Sequence, residues 1–324
     1  RCMRMPPYWN ETLYLGKYAD VADAVSHGYF DNGWMHYRTW GVREGRRDGF
    51  ELTEEDLAYQ YRAKQTYRRT KPSVNLVIAA WSGLRRDDFK PYVEDRTHYL
   101  RKQLASLQKY KHRLDQITFV IAENDEEPLE FTQFVDNLPG KIGTACVEVI
   151  CRRNYGQSYG SYSRVYQNYR DRFDYYIFLE DDYIFVQDRF DEVLVTNYQS
   201  MDGAGFLCSL VLQDPNSQDL HAGVANGIAS SRVLEKIWQR FDCLPHGYWD
   251  NAAITEKTKY NTGPQIQFSQ AFLEVGTELY DMTYKYCVPF LLVGLNDVKS
   301  LVRYVPHRKK MLIAPVQYLA ELGF

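Results

Sequence analysis

From Val74 onward the chain alternates short apolar runs with longer amphipathic ones, and each apolar run ends in polar or acidic residues. Val74 to Trp81 (VNLVIAAW) carries no charge and suits a strand buried on both faces. The polar loop Ser82 to Asp88 follows, and the stretch from about Tyr92 to Tyr110 predicts a long helix. Further strands are expected at Ile117 to Ala122, at Cys146 to Cys151 and at Asp174 to Leu179, with a helix through Tyr162 to Tyr169. Strands separated by helices build an α/β domain around a sheet. In open sheets of that kind ligands gather outside the carboxyl ends of the strands. Four strand ends here deliver polar residues to that edge, among them Glu123-Asn124-Asp125 and Arg152-Arg153-Asn154-Tyr155-Gly156.

Upstream the pattern is different. Residues 13–47 place apolar side chains at helical spacing, with Gly28, Gly33, Gly41 and Gly45 cutting the run into short helices. The pattern Y-x-x-x-Y-x-D-V-x-x-A-V, then H-Y, then G-x-x-E-G-R resembles a small helical module found beside glycosyltransferase domains in bacterial and viral proteins. His36, Tyr37 and Arg43 have two readings, internal packing or a binding surface. The charged, Tyr- and Arg-rich stretch from Asp48 to Pro72 reads as a connecting helix. Two parts are therefore expected: residues 1–72 as helical module and connecting helix, and residues 73–324 as the α/β domain.

The most informative segment is YYIFLEDDYIF. A hydrophobic strand delivers Glu180, Asp181 and Asp182 to its carboxyl tip. Acids this close repel unless a cation or hydrogen bonds offset the charge. Hard carboxylate oxygens suit Mg²⁺ or Mn²⁺, and an ion shared with a diphosphate would neutralise a departing phosphate. On an extended backbone Glu180 and Asp182 would share one face. The alternative is a turn or helix cap with solvated carboxylates.

The triplet resembles the acid-x-Asp motif of GT-A glycosyltransferases, in its EDD form that of inverting N-acetylglucosaminyltransferases. The similarity continues through Gly223-Val224-Ala225-Asn226-Gly227-Ile228-Ala229-Ser230-Ser231, a helix from Val233 to Phe241, Pro245-His246-Gly247-Tyr248-Trp249-Asp250, and Gly263-Pro264-Gln265-Ile266-Gln267-Phe268-Ser269. It covers roughly Val74 to Tyr280. A second tryptophan that follows the Trp-Asp pair in those enzymes is missing, and Ala253 stands near its place. The resemblance implies a GT-A (Rossmann-like) mixed sheet flanked by helices. It also implies Mn²⁺ or Mg²⁺ at Glu180 and Asp182, a nucleotide-sugar donor that is UDP-linked, and Asp250 as catalytic base. His307, in a basic run, is similar to a C-terminal histidine that completes the metal shell in some of these enzymes; a plain surface run is the other reading.

Asp250 beside Trp249 would be partly desolvated, which raises a carboxyl pKa toward a base's range. Asp followed by Asn-Ala-Ala-Ile is also a good helix N-cap, and Glu256 is the reserve base. Trp81 and Asp181 are counted with the donor-binding residues. Arg152, Arg153, Asn154, Gly156 and Gly160 either meet phosphate, the glycines admitting close backbone approach, or form a structural turn. Glu123 and Asp125 either face the donor's base or ribose or are solvated loop acids.

Composition narrows the field further. The chain has 324 residues and a formal net charge of -3, which argues against nucleic acid as partner. No apolar run approaches the ~20 residues of a membrane span, so a soluble, cytoplasmic domain is expected. The six scattered cysteines lack the spacing of a zinc site. The start at Arg1 suggests a piece of a longer protein with further domains. The expected activity is glycosyl transfer, probing a glycan or other hydroxyl acceptor. A sugar nucleotidyltransferase is the first alternative, with Ser82-Gly83-Leu84-Arg85-Arg86 as a faint Gly-Arg loop. A non-catalytic carbohydrate-binding protein using the 27 tyrosines is the second.

Overall fold

The computed structural model describes residues 9–41, 44, 46, 65–82, 97–124, 127–181, 183–185, 188–208, 211–213, 220–222, 226–247, 263–281 and 290–292. Three short helices come first: α1 (Glu11–Lys17), α2 (Ala19–Ser26) and α3 (Gly33–His36), followed by a π turn over Tyr37–Gly41. Helix α1 starts where the Asn10 side chain accepts from the Leu13 N–H at 2.9 Å, satisfying one of the helix's open donors. Trp9, Tyr14, Trp34 and Tyr37 are buried against one another, with Trp34 stacked on Tyr37 at 5.5 Å. Glu11 accepts from the Trp9 indole and from the Gly33 N–H, both at 2.5 Å, and the Tyr14 hydroxyl meets His36 Nδ1 at 3.0 Å. His36 and Tyr37 are thus packing residues, which decides between their two readings; Arg43 lies outside the described residues. Residues 65–70 are helical and carry Tyr67 inward.

The remaining elements alternate as the sequence predicts. They are β1 (Val74–Trp81), α4 (His98–Lys109), β2 (Gln116–Ala122), α5 (Leu129–Asp136), β3 (Lys141–Ile142), β4 (Ala145–Arg152), α6 (Gln157–Tyr169), β5 (Tyr175–Glu180), β6 (Tyr183–Phe185), α7 (Phe190–Ser200) and β7 (Ala204–Cys208). After these come β8 (Val211–Gln213), β9 (Leu220–Ala222), β10 (Gly227–Ser230), α8 (Ser231–Phe241), α9 (Gly263–Glu274), β11 (Glu278–Asp281) and β12 (Phe290–Leu292).

An eight-stranded sheet runs in the order β11-β7-β10-β5-β1-β2-β4-β3. Strands β4, β2, β1 and β5 are mutually parallel, whereas β10 runs antiparallel to both β5 and β7. The fold is therefore a mixed α/β sheet flanked by helices. Alternate side chains of each central strand feed two apolar layers. On one face Leu76, Ile78, Ile117, Phe119, Ile177 and Leu179 pack under Leu100 and Leu107 of α4 and Leu194 of α7. On the other, Val77, Val120, Tyr176 and Phe178 pack under Tyr162 and Tyr166 of α6, Ile237 of α8 and Phe268 of α9. The aromatic residues Trp9, Tyr14, Trp34 and Tyr37 belong to the same continuous cluster as the first layer. Helix α8 shows how locally this is encoded. Val233, Leu234, Ile237 and Trp238 fall on one stripe, and the Ser230 side chain caps the first turn. Among the described residues no helix is long and apolar enough to cross a membrane.

Candidate functional site

The strand order creates one place where neighbouring connections diverge. The chain leaves β1 toward β2 and β4, then returns to the opposite side of β1 as β5. A crevice opens at such a reversal, outside the carboxyl ends of the two strands. Here those ends are Trp81 of β1 and Glu180 of β5, and the parallel register sets Ala79 beside Glu180.

Helices from both layers grip Glu180. Along β5, Tyr176 and Phe178 face the α6 layer while Ile177 and Leu179 face the α4 layer, so the alternation aims the Glu180 side chain toward α6. There the Ser158 hydroxyl, in the first turn of α6, donates to Glu180 Oε1 at 2.5 Å. The positive end of a helix favours a carboxylate at that place. From the other layer Gln103 Nε2 of α4 donates to the Glu180 carbonyl at 2.9 Å. Tyr159 is buried beside this carboxylate; burial first, then the Glu180 charge, hold its phenol well above the usual range and keep it protonated.

Asp181 is buried at 6% exposure and sits in a turn. The extended backbone of β5 therefore ends at Glu180, and the expected shared face with Asp182 depends on a residue outside the described ones. Asp182 lies outside the described residues, as do Asp125, Asp250, Glu256 and His307. Trp81 is half-buried, and its indole nitrogen has no hydrogen-bond partner among the described residues.

The loop after β4 forms the next wall. The Arg152 guanidinium is buried and donates to Ser161 Oγ at 2.9 Å and to the carbonyls of Arg153, Tyr155 and Gln157 at 2.8, 2.7 and 2.5 Å. Burial lowers its pKa to about 10, so it stays charged at neutral pH. Three of these bonds go to carbonyls of residues 153–157 and one to the α6 hydroxyl of Ser161, the arrangement of the structural reading. Arg153 is exposed and Asn154 half-buried on the same loop. Gly156 has φ 64°, and a Cβ there would stand 2.5 Å from His246 Cδ2 and 3.0 Å from the His246 carbonyl. That close approach ties the loop after β4 to the segment leading into Trp249-Asp250. His246 is buried, its Nδ1–H donates to the Leu244 carbonyl at 2.8 Å, and its ring lies 5.4 Å from Tyr155. Burial lowers its pKa despite that hydrogen bond, and the Arg152 charge adds to the lowering, so the imidazole is neutral. Glu123 is exposed after β2, its N–H bonded to the Arg152 carbonyl at 2.8 Å.

The structure thus gathers Trp81, Glu180, Asp181, Arg153, Asn154, Gly156 and Glu123 along one sheet edge. Sequence reasoning missed Gln103, Ser158 and His246. Gln103 had a signal, since it interrupts the apolar stripe Tyr99, Leu100, Leu107 of α4. Among the described residues no group of three His, Cys, Asp or Glu forms a metal cage. The donor set that is described, a carboxylate and an acidic turn at a strand tip, has the hard oxygens that Mg²⁺ or Mn²⁺ takes.

No protein-family model matches this chain, and no curated protein matches it. Among solved structures, similar chains include a cytidylyltransferase from Leptospira borgpetersenii serovar Hardjo-bovis, 14% identical, with a TM-score of 0.42 over 78% of this chain and 94% of that one. The activity has to be read from this chain's own residues.

Proposed function

We propose that this chain is a metal-dependent glycosyltransferase of the GT-A type, moving a sugar from a UDP-linked donor to the hydroxyl of a glycan or other acceptor. In this reading residues 73–324 form the catalytic domain and residues 1–72 an appended helical module. One observation carries it: the acidic triplet ends β5 at the reversal beside β1, where an α/β sheet opens its ligand crevice.

Glu180 and Asp182 would hold Mn²⁺ or Mg²⁺, with His307 as a further ligand. The bound ion supplies charge neutralisation for the departing diphosphate. Arg153, Asn154 and the backbone at Gly156 meet the diphosphate. Glu123 and Asp125 face the base or ribose, and Trp81 and Asp181 line the crevice. Asp250 takes the acceptor proton as the acceptor oxygen bonds to the anomeric carbon. The bond from that carbon to the diphosphate oxygen breaks, its electron pair leaves with UDP, and the configuration inverts.

The test incubates the chain with Mn²⁺ and a panel of UDP-sugars and simple sugar acceptors. Expected are release of UDP and a product whose anomeric configuration, read by NMR, is opposite to the donor's. Asp250→Asn should lower kcat by about 10²–10⁴-fold, the range for loss of a general base, with donor affinity nearly unchanged. A helix-capping Asp250 predicts near-normal turnover, because Asn caps about as well as Asp. Pyrophosphate release from a nucleoside triphosphate and a sugar phosphate would replace this reading with nucleotidyl transfer. Sugar binding without turnover would replace it with a binding protein.

A further inference from the structure

Helix α4 buries a polar strip where an amphipathic helix ordinarily buries aliphatic side chains. Gln103 has 0% exposure and Ser106 is buried beside it, between Leu100 and Leu107. Gln103 Nε2 donates to the Glu180 carbonyl at 2.9 Å. One turn on, Ser106 Oγ donates to the Gln103 carbonyl at 2.7 Å and accepts from the Phe185 N–H at 3.0 Å. One helix therefore ties down the last residue of β5 and the last residue of β6, and the acidic turn lies between those two anchors.

The amide of Gln103 is not there for stability alone. Its Oε1 is buried without a hydrogen-bond partner among the described residues, and an unsatisfied buried acceptor costs about 1–3 kcal/mol. A Met or Leu would fill the same volume in this apolar layer without that cost. What only the amide provides is a fixed donor to the main chain at Glu180. Once that carbonyl is held, the peptide plane leading into Asp181 is set, and with it the direction in which the turn starts.

From this we infer that Gln103 is a positioning residue for the acidic turn: it holds the Glu180 main chain so that the carboxylates of the triplet meet the metal ion together. The inference rests on the reading of the triplet as the metal site. Residues that orient metal ligands typically change metal affinity by about 10–100-fold when removed.

The experiment titrates the full chain with Mn²⁺ alone, following loss of the free-ion EPR signal, and records melting without metal in parallel. Saturable Mn²⁺ binding by the parent that disappears in Asp182→Ala upholds the metal reading; a parent that binds no Mn²⁺ defeats that reading and the inference with it. Given parental binding, Gln103→Met should raise the Mn²⁺ Kd about 10–100-fold. Ser106→Ala, which frees the Phe185 end of the turn but leaves the Glu180 main chain held, should lower the melting temperature and raise Kd less than Gln103→Met does. Should the Met variant fail to fold, Gln103→Asn, which keeps an amide but shortens its reach, is read by the same Kd. A parental Kd in a folded Gln103 variant overturns the positioning role. So does an equal rise in Kd in Ser106→Ala, which would mean that general loosening, not orientation, weakens the site.

Discussion

Two pairs of neighbouring acids sit in sheltered positions of this molecule, and their surroundings differ. Asp191 and Glu192 open helix α7 at 0% and 4% exposure. Asp191 accepts from the Tyr67 hydroxyl at 2.7 Å and the Arg113 N–H at 3.1 Å. Glu192 meets Arg68 at 3.1 Å and Arg189 at 3.8 Å. Both also lie in a first helical turn, where the macrodipole favours negative charge. This pair is a fastening that joins residues 65–70 to the sheet domain. Glu180 and Asp181 close a strand instead, at the edge where the sheet opens; there the Ser158 hydroxyl donates to the Glu180 carboxylate and the Gln103 amide to the Glu180 carbonyl. Adjacent acids in a sequence are therefore ambiguous, and their place in the topology separates a fastening inside the domain from acids at the carboxyl edge of the sheet.

The sharpest way to break that contrast is to remove one acid of the Glu180–Asp182 triplet and one of the fastening pair. Asp182→Ala should abolish Mn²⁺-dependent donor binding while leaving a folded chain. Asp191→Ala should do the reverse. It leaves the buried Tyr67 hydroxyl without its acceptor, a cost of about 1–3 kcal/mol, with the Arg113 N–H bond lost besides, and should leave Mn²⁺ affinity at the parental value. Urea unfolding and Mn²⁺ titration of both variants check this. Loss of metal binding in Asp191→Ala would erase the distinction.

A smaller effect tests how closely the ligand edge is built. Gly156 and Gly276 both have positive φ, 64° and 80°, but a Cβ at Gly276 would meet open space. Gly276→Ala should therefore cost only the backbone penalty, about 1 kcal/mol. Gly156→Ala adds the collision with His246 and should cost about 1–3 kcal/mol more, measured as the difference in unfolding free energy. Equal costs would show that the loop after β4 and His246 yield to one another.

Much of this was legible in the sequence because the central strands are buried on both faces. VNLVIAAW coincides with β1, and the expected strands at Ile117, Cys146 and Asp174 match β2, β4 and β5 within a residue or so at each end. Strands β7 and β10 were not legible: each is short, and β10 lies inside a Gly-rich run that reads as a loop leading into α8. The place of Glu180 at the carboxyl edge of β5 was legible, but the turn at Asp181 was not, since an extended backbone and a tight turn present the same letters. Arg152 was misleading for a physical reason. A guanidinium that satisfies loop carbonyls and one that binds phosphate are identical as letters, and burial alone separates them. Gln103 and Ser158 act through single hydrogen bonds across long sequence separations, which no local pattern encodes.

The smallest expected effect concerns histidines at both ends of the comparison. His112 lies near the Asp191 pair and His246 near the ligand edge, and burial lowers the pKa of each. In the unfolded chain both titrate near the ordinary value of about 6.5. Below that pH the unfolded chain takes up protons that the folded chain refuses. The stability these histidines contribute is therefore fully present above about pH 6.5 and is lost as pH falls toward their folded values, with a slope of at most about 1.4 kcal/mol per pH unit for each. The neighbours differ in sign: the Asp191 charge favours protonated His112, whereas the Arg152 charge opposes protonation of His246. Asp191→Asn should then steepen the loss between pH 7.5 and 5.5, because it removes a charge that eases His112 protonation, and His112→Gln in that background should flatten it again. His246→Gln in the parent should also flatten the profile. Urea unfolding at several pH values across this window reads all four chains. A slope that Asp191→Asn leaves unchanged would mean that the fastening acids do not reach His112, and that the two regions differ in hydrogen bonding alone.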